Sequence, residues 1–289
     1  MLFYVGDSEI RKRLSEYTPG STQNLQGHGY SRVCVQLFGM TGHGKSSLIN
    51  SCLCVAKDVK YRNVANSSIA NTATTMMRNE FKLNNAVYMT DNRGITKLTE
   101  EELFEISAQF CQLRTTGEVM WKDGSKRNNE ALIKTPKIQE IIVPVFVYSA
   151  EYPSAPQTFE QYEAFIREAY NMTDLFPIIV LTKCKQINTK ELEYKFRQLG
   201  ANHVVRIENY TTTNNQRNPE IDTNILKFLE ICLEEADQAI DLKLGRDPQQ
   251  EWSNKVSRLN NMIKEAEERK QKQEKEDEKK RYQSTCILI

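Results

Sequence analysis

Apolar and polar positions alternate along this chain in two rhythms. Short apolar runs rich in β-branched residues lie at 33–38, 86–90, 141–148, 177–182 and 203–207, and each reads as a buried strand. Between them, apolar residues recur at helical spacing over 46–55, 99–114, 159–170, 189–199 and 221–244. In 159–170, for example, Tyr162, Phe165, Ile166 and Tyr170 mark one face. The alternation predicts an α/β fold of three layers, a mostly parallel sheet with helices on both faces. One departure is expected. Residues 76–83 and 86–90 read as two strands around Asn84-Asn85, and asparagine tolerates the positive φ of a two-residue hairpin turn. That places one antiparallel hairpin strand in the sheet.

Breakers and caps set the limits. A short helix is expected at 8–17, followed by a Pro19-Gly20-Ser21-Thr22 loop. Residues 56–75 are rich in Asn, Ser and Thr without periodicity and read as an exposed loop. Thr99 and Glu102 form a capping-box pattern that starts a helix running to Arg114. Residues 115–136 read as an exposed insertion with room for a further hairpin. Pro144 weakens the strand at 141–148, because it removes a ladder donor. Gly200 closes the helix before it. Gly245-Arg246-Asp247-Pro248 interrupts the pattern, and beyond it Trp252, Val256, Leu259 and Ile263 keep helical spacing before a charge run over 264–281. The reading is a solvated helical tail, with a coiled-coil partner helix as the alternative. The chain thus divides into an extension (1–30), a main domain (31–245) and a charged tail (246–289).

Composition narrows the partners. Lys and Arg number 39 against 38 Asp and Glu, so nothing argues for wholesale nucleic-acid binding. The seven cysteines are scattered, and Cys52 and Cys54 have no matching second pair for zinc, so free thiols of a cytoplasmic protein are expected. Residues 1–5 are too short for a signal peptide and run straight into Asp7, Glu9, Arg11, Lys12 and Arg13. The apolar run at 141–148 is far too short to span a bilayer.

The chemistry concentrates in Gly39-Met40-Thr41-Gly42-His43-Gly44-Lys45-Ser46, a complete G-x-x-x-x-G-K-[ST] loop between a predicted strand and a helix opened by Ser46 and Ser47. Glycines let backbone N–H groups turn towards an anion, and the helix N-terminus favours phosphate. Lys45 would reach the β- and γ-phosphates, and the Ser46 hydroxyl would ligate Mg²⁺. Asp91-Asn92-Arg93-Gly94 follows a strand end, where Asp91 can hold Mg²⁺ through water and the Gly94 N–H can meet the γ-phosphate. Thr75, ahead of Thr74 and Thr72, is the threonine expected to close over both. Lys45, Thr75 and Gly94 are the groups expected at the reacting phosphate. His43 is either an exposed loop residue or a group acting near the γ-phosphate. Ile95 stands where many switch proteins place a water-orienting glutamine, so slow intrinsic hydrolysis is expected, raised by self-association or by a partner that supplies the missing group.

Base reading is expected at Thr182-Lys183-Cys184-Lys185, after the strand at 177–182. A guanine-reading loop takes the form [NT]-K-x-D. Lys183 fits with its stem across the base, but Lys185 stands at the carboxylate position and cannot accept hydrogen bonds. Glu208-Asn209-Tyr210 is the candidate substitute, through Asn209 or a backbone amide, with Tyr210 packing on the base. Separately, Cys286-Ile287-Leu288-Ile289 has the C-a-a-X form, with Lys279-Lys280-Arg281 upstream. It predicts a geranylgeranyl group on Cys286 and a peripheral place on the cytosolic face of a membrane.

The segments LFGMTGHGKSSLINS, TDNRGI, VLTKCK and RIENYTTTNNQRNPEID, within about residues 25–245, resemble the interferon-induced protein 44 family and its vertebrate relatives. These belong to the translation-factor-related GTPases, near the dynamin-like and immunity-associated groups. The resemblance implies a P-loop GTPase-like fold and a cytoplasmic domain that binds GTP or GDP with Mg²⁺. It also implies a link to antiviral or interferon responses and a homodimer or protein effector as partner. A prenylated adaptor with a hydrolytically dead site and an ATP-using P-loop protein are the competing classes.

Overall fold

The computed structural model describes residues 6–65, 78–92, 94–114, 139–152 and 156–286. Six strands form one sheet: β1 (Arg32–Phe38), β2 (Asn79–Lys82), β3 (Val87–Asp91), β4 (Glu140–Ser149), β5 (Ile178–Thr182) and β6 (Val204–Ile207). Their order is β2-β3-β1-β4-β5-β6. Only β2–β3 is antiparallel. Seven helices accompany them among the described residues: α1 (Asp7–Glu16), α2 (Lys45–Ala56), α3 (Glu100–Phe110), α4 (Pro156–Thr173), α5 (Lys190–Gln198), α6 (Pro219–Leu242) and α7 (Pro248–Cys286).

The strands read as continuous apolar runs because both faces are covered, and their period of two sorts residues between two cores. Val33, Val35 and Leu37, with Ile141, Val143, Val145 and Val147, pack with α1, α2 and α6. Cys34 and Phe38, with Ile142, Phe146 and Tyr148, pack with α3, α4, α5 and α7. The first core is largely aliphatic. The second is rich in aromatics, with Phe38, Phe110, Phe146, Phe165 and Phe196 in mutual contact distance. Helix α1 joins the first core through Ile10, Leu14 and Tyr17, and the Tyr17 hydroxyl donates to buried Asp237 on α6 at 2.5 Å.

Several sequence expectations change in detail. The β2–β3 connection is not a two-residue turn: bends fill residues 83–86, and neither asparagine takes a positive φ. Instead the Asn84 side chain accepts from the Ala86 and Val87 N–H groups at 2.8 and 2.6 Å, which closes the turn locally. Thr99 does cap α3, accepting from the Glu102 N–H at 3.3 Å. The helix stops at Phe110 rather than Arg114, with Gln112 in the left-handed region at φ 59°. Pro144 lies inside the central β4 after all. It sits opposite Gln36 of β1, one position before the first β5 partner, Val145, so it costs one ladder only. The insertion expected at 115–136 and the loop threonines 72, 74 and 75 lie outside the described residues.

The tail is one long helix, and one face of its first turns is docked rather than solvated. Leu259 is buried, and Trp252, Val256, Met262 and Ile263 pack against the α3–α4 core. The Trp252 Nε1–H donates to the Cys111 carbonyl at 3.2 Å, Arg258 pairs with Glu168 of α4 at 3.2 Å, and Arg269 reaches Glu100 of α3 at 3.1 Å.

Candidate functional site

The expected site residues within the described chain converge at the C-terminal edge of the parallel strands. Strand β1 ends at Phe38, and the chain turns at once. Gly39 has φ 144°, and a Cβ there would meet the Val147 carbonyl oxygen at 2.2 Å, so only glycine fits. Met40, Thr41, Gly42, His43 and Gly44 form the loop, and α2 begins at Lys45 with no side chain capping its first turn. Its leading N–H groups, Ser46 and Ser47 among them, are therefore open to an anion. The Lys45 ammonium folds back over the loop and donates to the carbonyls of Gly39 and Met40 at 2.9 and 3.1 Å. Burial pushes its pKa down to about 8, with nearby Asp91 acting the other way.

Asp91 lies at the end of β3, beside Leu37 of β1. Its Oδ2 accepts from the Ser46 hydroxyl at 2.7 Å, while its Oδ1 is buried without a partner among the described residues. Burial raises the Asp91 pKa, opposed by Lys45 and the Ser46 hydroxyl. A carboxylate with an open oxygen, a hydroxyl and an ammonium in one spot is a donor set that suits a hydrated Mg²⁺ beside phosphate. Gly94 follows under Thr41: a Cβ there would lie 2.6 Å from the Thr41 hydroxyl oxygen. The chain is then tied to the loop, with the Thr41 N–H donating to the Ile95 carbonyl at 2.9 Å and the Ile95 N–H to the Gly39 carbonyl at 3.1 Å. Ile95 itself is buried in the α3 core.

His43 is neither exposed nor turned to the phosphates. It is 2 % exposed, its ring lies edge-on to Tyr148, and Tyr152 packs 4.8 Å away. Nδ1 accepts from the Ser149 N–H at 3.2 Å. Burial, aided by Lys45 and Lys183, depresses its pKa to about 3, which a hydrogen bond to the Val147 backbone only partly opposes. It is a neutral packing residue that joins the loop to β4. The exposed loop position expected from the sequence is thereby corrected, since the ring is buried and bonded to Ser149.

The residues expected to read a base lie on two loops, after β5 and after β6. Thr182 is fully buried, and its hydroxyl donates to the His43 carbonyl at 2.7 Å. Asn209 holds the next carbonyl, Nδ2 to Gly44 O at 3.2 Å, and its Oδ1 is buried without a partner among the described residues. Lys183 takes φ 53° and pairs with Glu151 at 3.4 Å, and Lys185 is exposed. The Cys184 N–H donates to Glu208 Oε1 at 2.7 Å. Tyr210 does not reach the base position: it is fully buried, with its hydroxyl donating to Asp222 at 2.7 Å and accepting from the Asn218 N–H at 2.7 Å. The inward direction follows from its neighbours, since Asp222 and Arg217 form a paired polar cluster beneath the loop.

Sequence reasoning missed Asn92, Ser149 and the Glu208–Cys184 bond. Asn92 is buried, with Nδ2 donating to the Leu37 carbonyl at 3.2 Å and Oδ1 unpartnered among the described residues. For Asn92 the D-x-x-G spacing was a usable signal. For Ser149 and Glu208 there was none, because each contact joins segments more than twenty residues apart. Two other features compete for attention and lose. A cavity of about 50 Å³ at the opposite end of β4, lined by Phe110, Glu140, Lys243, Trp252 and Lys255 among others, is far too small for a nucleotide. Cys34, Glu80 and Glu140 cluster closely enough for a metal, but the Arg32 guanidinium already spans both carboxylates at 3.0 and 2.8 Å. Cys286 ends α7, and the rest of its box lies outside the described residues, as does Thr75. No helix among the described residues is long and apolar enough to cross a membrane. No protein-family model matches this chain, and no curated protein matches it.

Proposed function

We propose that this protein is a P-loop GTPase-like switch that binds GTP or GDP with Mg²⁺ and hydrolyses GTP slowly. The observation that carries the reading is the Ser46–Asp91 pair at 2.7 Å, beside buried Lys45, with Asp91 Oδ1 left open. The strand order with its antiparallel β2 supports the fold assignment. In this reading the α2 N-terminus and Lys45 bind the phosphates, Ser46 and Asp91 hold the metal, and Thr182 and Asn209 brace the loop. Slow turnover follows from Ile95. Its side chain is apolar and buried, and its backbone is tied to the loop, so it orients no water. A homodimer or effector would then supply the missing group. Prenylation of Cys286, checked by the added mass of one isoprenyl group, would place the switch at a membrane. A role in interferon or antiviral responses rests on the family resemblance.

Calorimetric titration with GTP, GDP and ATP in Mg²⁺ tests the reading. Guanine nucleotides are expected to bind with micromolar or tighter dissociation constants and ATP much more weakly. Preference for ATP would replace this reading with a P-loop ATPase. Guanine binding without turnover would leave a nucleotide-dependent adaptor.

A further inference from the structure

Lys185 stands where a guanine-reading loop needs an acceptor, so the acceptor must come from elsewhere or be absent. We propose that the Glu208 carboxylate reads the hydrogen-bonding edge of guanine, supplied from the loop after β6. The proposal rests on the guanine-nucleotide reading above and names the residue that sets its specificity.

Strands β5 and β6 end side by side, with Thr182 opposite Ile207, so residues 183–187 and 208–210 leave the sheet together at the phosphate end. Lys183 turns through φ 53°, and this presents the Cys184 N–H to Glu208 Oε1 at 2.7 Å. The bond fixes the half-buried carboxylate beside Lys183, whose stem is the expected cover for the base. It uses one oxygen. The other has no partner among the described residues, and a carboxylate offers about four acceptor sites. One residue along, Asn209 braces the phosphate loop through Gly44. The acceptor is therefore joined rigidly to the part that would hold the phosphates. Lys185 is exposed and cationic and offers no acceptor.

Guanine shows two N–H donors along one edge, and a carboxylate complements both. Xanthine replaces the amino donor with a carbonyl, which a carboxylate repels and to which a carboxamide N–H donates. The discriminating variant is Glu208→Gln. Its side-chain oxygen still accepts from the Cys184 N–H, so a mere loop cap survives the change.

The experiment titrates the full chain, wild type and E208Q, with GTP, xanthosine triphosphate and ATP in Mg²⁺. In E208Q, GTP affinity is expected to fall by about 30-fold or more and xanthosine triphosphate affinity to rise by about tenfold or more. Adding Lys185→Asp to E208Q restores the GTP preference, since a carboxylate returns to the same edge. Three results overturn the proposal alone while wild type binds GTP. The first is unchanged GTP affinity in E208Q. The second is an equal fall for GTP and xanthosine triphosphate, the mark of a structural cap. The third is an exchange of the GTP and xanthosine triphosphate ranking in Asn209→Ala and not in E208Q. Absence of GTP binding by the wild type defeats the nucleotide reading itself, and this proposal with it.

Discussion

In the proposed reading, the phosphate end of the site draws its groups from one loop, joined by Asp91 from the end of β3. At the base end they come from two loops that meet only in the folded sheet. Lys45 opens α2 and closes back on carbonyls five and six residues away, while Ser46 meets Asp91 across 45. Glu208 meets Cys184 across 24 residues, and Asn209 meets Gly44 across 165. In the proposed reading the first region has little freedom, because the loop at 39–46 and Asp91 must together meet the phosphates and Mg²⁺. The second can move an acceptor from one loop to the other, because only the final position of the carboxylate matters. The difference explains how a complete phosphate motif can coexist with a cation at position 185.

The largest expected effect tests the phosphate end. Lys45→Met removes the buried ammonium while keeping a long flexible stem. Charge-assisted bonds to phosphate contribute on the order of 3 kcal/mol, so affinity for Mg²⁺-GTP should fall about 100-fold or more. The comparison predicts more than a loss. GTP, ATP and xanthosine triphosphate should weaken together, since Lys45 touches what they share, whereas a base-end variant should re-rank them. Titration of K45M with all three nucleotides reads this directly. Selective loss of GTP alone would mean the two ends are not separate.

The same locality governs what could be read from the sequence. Strand positions, the order of strands and helices, and the loop at 39–46 were legible because each depends on neighbouring residues. The hairpin before Asp91 was legible as a pairing, but its turn was not, since Asn84 closes it through its side chain rather than through a positive φ. His43 misled for a different reason. Its surroundings in sequence are glycines and polar residues, while its surroundings in space are Tyr148, Tyr152 and the β4 backbone. Tyr210 misled likewise, because its partners Asn218 and Asp222 belong to the start of α6. The docked half of α7 showed apolar spacing, but nothing in the spacing named α3 as its neighbour.

A middle-sized effect tests whether Tyr210 belongs to the base or to the frame. Its hydroxyl bridges Asp222 and the Asn218 N–H, and its own N–H donates to Ser51 on α2 at 2.8 Å. Tyr210→Phe leaves the Asn218 N–H without its buried partner. A cost of about 1–3 kcal/mol in unfolding free energy is expected. Nucleotide ranking should stay as in the wild type, because the ring never leaves the interior. Urea denaturation and the nucleotide titration together decide. A stable Y210F with altered ranking would return Tyr210 to the base pocket.

The smallest effect concerns the residue that links the two ends. His43 sits in the phosphate loop, and its carbonyl is held by Thr182 of the base-side strand. In the fold its ring is neutral, its pKa depressed from 6.5 to about 3 mainly by burial. In the unfolded chain the ring titrates normally. Below pH 6.5 the unfolded state therefore takes up a proton that the folded state refuses, and stability falls as pH drops towards about 3. The slope is at most about 1.4 kcal/mol per pH unit, and the contribution is intact above pH 6.5. His43→Asn keeps an acceptor for the Ser149 N–H and removes the titration. Denaturation midpoints of the two proteins, compared between pH 7 and pH 5, should diverge, with the wild type losing more stability as acid is added. Most carboxylates stay ionised over that window, so the difference isolates the ring. Parallel curves would mean that His43 is accessible to protons in the folded state. The junction between the phosphate and base ends would then be looser than its hydrogen bonds imply.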